Sequence, residues 1–374
     1  MMTADEILSL AFKLGVSDVH VTVNSAPAFR LHGRLLPFDA PEWEGRLGAE
    51  VAAAGKLTPE DTDRLVRQIM TETQYQKFQD IGELDFSYAI PEVCRFRVNA
   101  FKQQGSVGIV IRLINWKVLS LKDLGLPEVI VSLAHKPSGL VLVTGPTGCG
   151  KSTTLAAMLD LINNERRYHI ITLEDPIEYV HRHKKCIVNQ REVGKDTRSF
   201  ANALRAALRE DPDVILVGEM RDPETIGIAL TAAETGHLVL GSLHTSSAAQ
   251  TVDRIIDVFP PHQQQQIKVQ LSNTIQGIIA QTLIPREDKS GRVVAVEVMI
   301  ATPAVRNLIR EGKAYQIINQ LQTGAKFGML SLDMALRNLY LEKLISKDEA
   351  LSRATDPEML AKMLSNGKVH DNNL

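Results

Sequence analysis

The chain has 374 residues, of which 44% are hydrophobic and 23% charged, so it is long and apolar enough to bury the cores of two or three domains. Its formal net charge of −2 provides no global positive field for nucleic acid or an anionic membrane. The three cysteines form no C-x-x-C pair, and no apolar stretch reaches the ~20 residues that span a bilayer. A cytoplasmic protein without a zinc ribbon or disulfide framework is predicted, with any membrane role peripheral.

Residues 1–115 are predicted to form a small α+β domain. Residues 3–14 have amphipathic helical spacing, and the alternation in "SDVHVTVNSAPAFRLHGRLLPF" predicts a strand meander that turns at Asn24-Ser25 and His32-Gly33. Residues 41–57 are expected to be a surface excursion, and "TPEDTDRLVRQIM" predicts a helix with a threonine cap. Three more strands are predicted at "ELDFSYAI", "CRFRVNAFKQQG" and "SVGIVIRLI".

The rest of the chain has a different pattern. Residues 116–136 are predicted to be a linker and domain entry, and residues 137–374 an α/β domain that becomes helical from about residue 300. Apolar runs alternate with helical segments, which is typical of a parallel sheet covered on both faces. The predicted strands are "GLVLVT", "HIITLE", "DVILVGE" and "LVLGSL", and the predicted helices lie near 151–163, 199–210, 222–235 and 248–257. Beyond residue 265 the sequence predicts mostly helix, with one alternating stretch at "RVVAVEVM".

The segment "GPTGCGKST" has the phosphate-loop pattern between a predicted strand and a predicted helix. Glycines there let backbone N–H groups turn towards phosphate oxygens, and the helix N-terminus adds positive potential. Lys151 is expected to reach the β- and γ-phosphates, and Ser152 to bind Mg²⁺. The bare pattern arises by chance in about one chain in a hundred of this length, and its position between strand and helix makes chance rarer still. The predicted ATP-binding residues are Gly145, Pro146, Thr147, Gly148, Cys149, Gly150, Lys151, Ser152 and Thr153.

Three more polar residues each follow a predicted strand: Glu174, Glu219 and His244. Ligands bind beyond the carboxyl ends of parallel strands, so all three are expected beside the phosphate loop. One acid can orient the attacking water and the other can help hold Mg²⁺, while the histidine senses the γ-phosphate. Glu219 is favoured as the base and Glu174 as the metal-side acid, with the reverse assignment left open. For Glu219 alone, an incidental carboxylate at a strand end is the competing interpretation.

Two other polar features, His237 and the segment 181–185, are expected to have no role in ligand binding. His237 stands seven residues before His244, across a predicted strand, so the two imidazoles would be roughly 23 Å apart and His237 is expected at the opposite sheet edge. The segment "HRHKK" at 181–185 is expected to be a solvated basic turn, because no carboxylate or cysteine completes a metal-ligand set there.

Five motifs together resemble those of the secretion-type traffic ATPases: "GPTGCGKSTT", "TLEDPIEYVH", "ALREDPDVILVGEMRD", "TAAETGHLVLGSLHT" and "AVRNLIRE". Within that family they are most similar to the PilT family of type IV pilus retraction (twitching motility) ATPases. The resemblance implies a PAS-like N-terminal domain joined to a RecA-like ATPase domain in a hexameric ring. It implies Mg²⁺-dependent ATP hydrolysis at the cytoplasmic side of the inner membrane. The implied partners are the platform protein and the pilus, which the motor disassembles into pilin subunits.

The resemblance also implies roles for residues outside the phosphate site. Arg97 and Arg112 are expected to reach the nucleotide from the first domain, with Arg95 as the runner-up. Without the resemblance, all three would be interpreted as solvated strand charges. The helix in "TPAVRNLIREG" is expected to be needed for retraction but not for phosphate binding. Its apolar stripe is Val305, Leu308 and Ile309, and its outward residues are expected to be Arg306, Asn307, Arg310 and Glu311.

Several alternatives stay open from the sequence. Cys149 stands where the family usually has serine, at a position that contributes its backbone. The chain lacks the four-cysteine site and the long extra N-terminal region of the assembly and type II secretion relatives, which favours the retraction branch. An accessory retraction paralogue is the nearest alternative. A DNA-translocating ring is disfavoured by the net charge, and a nucleotide-gated scaffold without turnover is disfavoured by the intact acids and histidine.

Overall fold

The computed structural model describes residues 2–31, 33–43, 47, 55–91, 93–114, 118–288 and 291–366. The chain divides into two units, Met1–Lys117 and Val118–Leu374. The predicted turn residue His32, the first residues of the predicted linker and the last eight residues lie outside the described part. Within the described ranges, no helix combines the length and the apolar character needed to cross a bilayer.

The strands of the first unit are β1 Asp18–Val21, β2 Ala28–Leu31, β3 Arg34–Pro37, β4 Glu83–Ile90, β5 Cys94–Gln103 and β6 Ser106–Ile114. They form a six-stranded antiparallel sheet in the order β3-β2-β1-β6-β5-β4.

The helices of the first unit have side-chain caps. The helix Ala4–Leu14 is fixed at its start by a reciprocal pair, in which the Thr3 hydroxyl accepts from the Glu6 N–H and the Glu6 carboxylate accepts from the Thr3 N–H. Thr58 and Asp61 cap the helix Pro59–Ile69 in the same way. A third helix, Glu72–Ile81, was not predicted.

The predicted surface excursion at 41–57 is wrong at three side chains. Trp43, Leu47 and Leu57 are only 2%, 8% and 5% exposed and belong to the hydrophobic core of the first unit. The Trp43 ring meets Phe29 edge-on, with 5.9 Å between centroids, and its indole N–H donates to the Leu36 carbonyl at 3.4 Å. A large aromatic ring with a bonded N–H is stable in a core, so this segment contributes to packing. Residues 44–46 and 48–54 lie outside the described part.

The strands of the second unit are β7 Gly139–Thr144, β8 His169–Glu174, β9 Ile187–Glu192, β10 Val214–Val217, β11 Leu238–Leu243, β12 Ile275–Pro285 and β13 Arg292–Ile300. They form a seven-stranded sheet in the order β13-β12-β7-β11-β10-β8-β9. The pairings from β12 through to β9 are all parallel, and β13 pairs antiparallel with β12. The predicted α/β fold with a parallel sheet is therefore confirmed.

Helices cover both faces of this sheet, and each face has its own hydrophobic cluster. Lys151–Glu165 packs on one face and Pro223–Glu234 on the other. The remaining helices are Val129–Ala134, Phe200–Ala207, Ala248–Asp257, Pro261–Thr274, Pro303–Arg310, Ile317–Thr323, Leu332–Leu341, Lys347–Arg353 and Pro357–Asn366.

The expectation of a mostly helical chain beyond residue 265 is wrong for β12. This eleven-residue strand lies beside β7, next to the phosphate loop. Its sequence, "IQGIIAQTLIP", is mostly apolar but does not alternate strictly, and periodicity alone cannot separate such a buried strand from a buried helix. The edge strand β9 was also missed, because its polar sequence "IVNQRE" lacks the apolar character of a central strand.

Candidate functional site

A cavity of about 390 Å³ opens where the strands of the second unit end. The parallel pairing of β7, β11, β10 and β8 places their carboxyl ends at one edge of the sheet. The phosphate-loop helix Lys151–Glu165 begins at this edge. The predicted site residues that line the cavity are Thr147, Gly148, Gly150, Lys151, Ser152, Thr153, Glu174, Glu219 and His244.

The phosphate loop depends on glycine at three positions. Gly145, Gly148 and Gly150 have φ angles of 141°, 78° and 90°, in the region that L-residues rarely adopt. A Cβ atom at Gly145 would also lie 2.3 Å from the carbonyl oxygen of Gln281. Both the backbone conformation and the space around it therefore exclude a side chain at Gly145.

Gln281 on β12 holds this loop through hydrogen bonds, a role that the sequence pattern does not predict. Its side chain is buried, its Nε2 donates to the Cys149 carbonyl at 2.7 Å, and its Oε1 accepts from the Thr154 hydroxyl at 2.9 Å. Burial raises the pKa of the Cys149 thiol. The loop is thus held through the backbone at position 149, while the Cys149 side chain packs inward.

The Lys151 ammonium group lies inside the loop. It donates to the Gly145 carbonyl at 2.8 Å and to the Pro146 carbonyl at 3.1 Å, and the residue is buried. Together with the N–H groups of the helix start, it concentrates positive charge at the cavity wall. Such a wall is suited to phosphate oxygens.

Glu219 and His244 meet at the cavity because β10 and β11 are paired in register, Val217 opposite Gly241. The His244 Nε2 lies 3.0 Å from the Glu219 Oε1, and the Arg221 guanidinium donates to that same oxygen. This contact raises the pKa of Arg221. Glu219 is thus oriented by two nitrogen-bearing side chains at the cavity wall.

Glu174 is held by donors from three directions. Its Oε1 accepts from the Thr172 hydroxyl at 2.6 Å and from the Gln190 Nε2 at 3.1 Å, and its Oε2 accepts from the Glu178 N–H at 3.4 Å. Burial raises the pKa of this carboxyl group above its ordinary value, against the lowering effect of these hydrogen bonds. The carboxylate is therefore fixed in orientation but costly to keep ionised.

The segment after β8 also contributes to the cavity wall. Tyr179 lines the cavity, and its hydroxyl shares a 2.9 Å hydrogen bond with the Thr153 hydroxyl. The prediction of a solvated basic turn at 181–185 is wrong for His181, which lines the cavity and is half-buried. Desolvation lowers the pKa of His181 to about 4, so the ring is neutral at physiological pH. Residues 182–185 are exposed.

Comparison with known proteins identifies the family. The model of the type II/IV secretion system protein family matches residues 76–337. The type IV pilus retraction ATPase PilT of Pseudomonas aeruginosa is 50% identical over 357 residues, which cover 96% of this chain and 99% of that protein. This chain belongs to the type II/IV secretion ATPase family.

Two further comparisons refine its place in the family. A crystal structure of the pilus retraction motor PilT with bound ADP matches with a TM-score of 0.88 and 48% identity, covering 97% of this chain and all of that one. The type IV pilus ATPase PilU of P. aeruginosa is 39% identical over 370 residues, 99% of this chain and 93% of that protein. The chain is a PilT-type retraction ATPase, and the predictions of family, fold and function are confirmed.

Three further predicted residues, His237, Arg97 and Arg112, each have contacts within their own unit. His237 lies at the amino end of β11, where its Nδ1 is 2.9 Å from the Ala232 carbonyl oxygen. Arg97 and Arg112 lie on the first unit, directly opposite each other on β5 and β6. The Arg112 Nε donates to the buried Asp18 carboxylate at 2.9 Å. That these arginines reach the nucleotide stays a prediction.

The helix Pro303–Arg310 differs from its sequence interpretation at one residue. Val305 and Ile309 are fully buried and Leu308 is half-buried, as an apolar stripe requires. Arg306, however, does not face away from the domain. Its guanidinium donates to the carbonyls of Ser272 at 2.7 Å and Asn273 at 2.8 Å, the last turn of the helix Pro261–Thr274. It caps carbonyl groups that have no partner within that helix.

Proposed function

We propose that this protein is a hexameric, Mg²⁺-dependent ATPase motor that powers retraction of the type IV pilus by disassembling the fibre into pilin subunits. The observation that carries the proposal is the cavity at the sheet edge, where a phosphate loop, two carboxylates and a histidine converge. Likeness to PilT of P. aeruginosa along nearly the whole of both chains supports the same conclusion.

Each residue has a proposed role in hydrolysis. The backbone N–H groups of the phosphate loop, other than at Pro146, and the Lys151 ammonium hold the phosphates. The Ser152 hydroxyl and the Glu174 carboxylate supply oxygen ligands from the same cavity, which is the ligand type that Mg²⁺ prefers. Bound Mg²⁺ would offset charge on the β- and γ-phosphates. Glu219 polarises the attacking water, and His244, which touches Glu219, senses the γ-phosphate.

One observation favours exchanging the roles of the two acids. A general base works best when its pKa is near the working pH, and burial raises the pKa of Glu174 towards that range. Kinetics on Glu219→Gln and Glu174→Gln separate the two assignments. The substitution at the base abolishes turnover with nucleotide affinity intact, whereas the substitution at the metal-side acid raises the Mg²⁺ concentration needed for half-maximal activity.

Arg97 and Arg112 are proposed to complete the site when the two units close on ATP. Developing charge on a transferring γ-phosphoryl group requires more compensation than Lys151 and Mg²⁺ supply, and arginines commonly provide it. Both side chains are exposed on neighbouring strands of one sheet, and Asp18 holds the Arg112 guanidinium through its Nε.

The proposed partners are five further copies of the chain in a ring, the inner-membrane platform protein and, through it, the pilus. The proposed location is the cytoplasmic face of the inner membrane at the pilus base. The main motor is favoured over an accessory paralogue, because the identity to PilT is 50% and the identity to PilU 39%.

Deletion of the gene in its own host tests the proposal. Piliated cells that do not twitch are expected, and the wild-type gene should restore motility where Glu219→Gln does not. Loss of surface pili would instead indicate a role in assembly. Phosphate release by the purified protein, with Mg²⁺ and with a chelator, tests the enzyme itself. Absence of release in the presence of Mg²⁺ would support a scaffold without turnover.

A further inference from the structure

Gln190 occupies a central position behind the cavity wall. It lies on the edge strand β9, directly opposite Thr172 of β8 in the parallel register. Side chains two residues apart on a strand point to the same face, so Thr172, Glu174 and Gln190 project together. Both donors to the Glu174 Oε1 come from this cross-strand pair, Thr172 at 2.6 Å and Gln190 at 3.1 Å.

Both ends of the Gln190 amide are used. Its Nε2 donates to the Tyr179 carbonyl at 2.8 Å as well as to Glu174, and its Oε1 accepts from the His181 N–H at 2.7 Å. The Gln190 side chain therefore binds the Glu174 carboxylate and also two backbone groups of residues 179–181, the segment that follows Glu174 in the chain. An amide can do this because it carries a donor and an acceptor on one planar group.

The segment held by Gln190 is linked in turn to the phosphate-loop helix. Tyr179 is hydrogen-bonded through its hydroxyl to Thr153, the residue after the proposed Mg²⁺ ligand Ser152. Glu174, Tyr179 and Thr153 all line the cavity. Hydrogen bonds thus branch from Gln190 on β9 to Glu174 and to Tyr179, and the Tyr179 hydroxyl continues the second branch to the first turn of that helix.

We propose that Gln190 is a positioning residue for ATP hydrolysis, which orients the Glu174 carboxylate and fixes residues 179–181 against the first turn of the phosphate-loop helix. The inference rests on the proposed role of Glu174 at the metal side of the site. Without the Gln190 donor, Glu174 keeps Thr172 on one oxygen and only the long 3.4 Å hydrogen bond from the Glu178 N–H on the other, so its terminal torsion is less restricted. Turnover falls because the carboxylate is misplaced, while the phosphate loop that binds the nucleotide is unchanged.

Two substitutions separate positioning of Glu174 from tethering of the segment. Gln190→Met keeps the length of the side chain and removes all three hydrogen bonds. Gln190→Glu keeps an acceptor for the His181 N–H but loses the donor to Glu174 and Tyr179. Asn189→Ala is the matched control, because the neighbouring side chain on β9 projects to the other face and contacts the His169 ring instead.

Steady-state phosphate release and binding of a fluorescent ADP analogue, measured with and without Mg²⁺, provide the test. We expect kcat to fall about 10- to 100-fold in both Gln190 variants, as for other residues that orient a metal ligand. ADP affinity without Mg²⁺ should match the wild type, and Asn189→Ala should be unchanged in both assays. If Gln190→Met is too unstable to assay, Gln190→Glu alone decides.

The failures of the two proposals are distinguishable. Wild-type turnover in Gln190→Glu would overturn the positioning of Glu174 by Gln190, because only the tether to His181 survives in that variant. A fall in Mg²⁺-free ADP affinity that equals the fall in kcat would also overturn it, since it would indicate a distorted phosphate loop. Glu174→Gln is measured in parallel. Its wild-type turnover would refute the role of Glu174 itself, whereas slow Glu174→Gln with fast Gln190 variants would refute this inference alone.

Discussion

Glu219→Gln removes the proposed base and keeps the shape of the site. The amide oxygen can still accept from His244, 3.0 Å away, and from Arg221, so the residues around it have no reason to move. Gln281 still holds the phosphate loop and Lys151 keeps its place, so ATP and ADP affinity should be close to those of the wild type. The loss is then confined to the step in which water is polarised.

A positioned general base contributes typically about 10²- to 10⁴-fold to a rate. At about 1.4 kcal/mol for each factor of ten, this corresponds to about 3–6 kcal/mol of transition-state stabilisation. We expect kcat of Glu219→Gln to fall within this range. Glu224→Gln is a suitable control, because that exposed carboxylate pairs with Arg205 on neighbouring helices, so the same chemical change there should leave turnover intact.

Phosphate release at saturating ATP measures kcat, and binding of a fluorescent ADP analogue measures the intact ground state. A Glu219→Gln protein with more than about a tenth of wild-type turnover would refute the role of Glu219, since the loss would be below the usual contribution of a base. A loss of nucleotide affinity as large as the loss of kcat would refute the structural argument, because it would show that the amide disturbs the phosphate site.

Three further substitutions test separate parts of the site. Lys151→Ala should weaken ATP and ADP binding itself, measured by titration, because a charged contact with the phosphates is lost. Arg97→Ala and Arg112→Ala should bind ATP and form rings near normally but lose turnover by orders of magnitude, and wild-type rates in both would end that proposal. Glu297, buried on β13, has a pKa raised by burial above 4.5, so its contribution to stability falls as pH rises above that value. Glu297→Gln should therefore raise the melting temperature at about pH 7 relative to the wild type, and not at about pH 4.

The position of the site was predictable because it follows from local patterns and one topological rule. The glycine-rich loop stands between a strand and a helix, and Glu174, Glu219 and His244 follow apolar runs directly. Once the strands are parallel, their carboxyl ends must lie at one edge. The cavity lining contains all three residues with the loop, as this reasoning requires.

The supporting residues were not predictable because their roles come from pairing between distant parts of the chain. Gln281 binds Thr154 across 127 positions, and Gln190 binds Glu174 only because β9 adds to the sheet beside β8. Neither strand was identified, since one is mostly apolar without strict alternation and the other is polar. A glutamine in such a segment gives no local signal of what its amide will contact.

Arg306 shows a different limit. On a helical wheel it faces away from the apolar stripe, and its charge indicates a solvated position. The structure instead directs its long side chain to the last carbonyls of the helix Pro261–Thr274, where a cation is favourable both as a hydrogen-bond donor and against the helix dipole. Periodicity predicts the face on which a Cβ lies, but not where a flexible four-bond side chain ends.

The helix Pro303–Arg310 carries the last prediction, and its two apolar residues are expected to behave differently. Ile309 is fully buried in the hydrophobic cluster on the sheet face that the helix Pro223–Glu234 covers. Ile309→Ala should therefore lower the free energy of unfolding by about 2–5 kcal/mol and reduce ATPase activity and twitching together. Leu308 is half-buried at the edge of that cluster, so Leu308→Ala loses less packing.

If this helix transmits the motor's work to its partner, Leu308→Ala should leave phosphate release and the melting temperature largely intact and still block twitching. Ile309→Ala is the matched control for the effect of lost packing alone, since each change removes three carbon atoms and the two positions are adjacent. Parallel losses of ATPase activity and motility in Leu308→Ala would assign the helix to stability. Blocked motility with intact phosphate release would instead assign the helix to force transmission between the nucleotide site and the pilus, because ATP hydrolysis would then continue without pilus retraction.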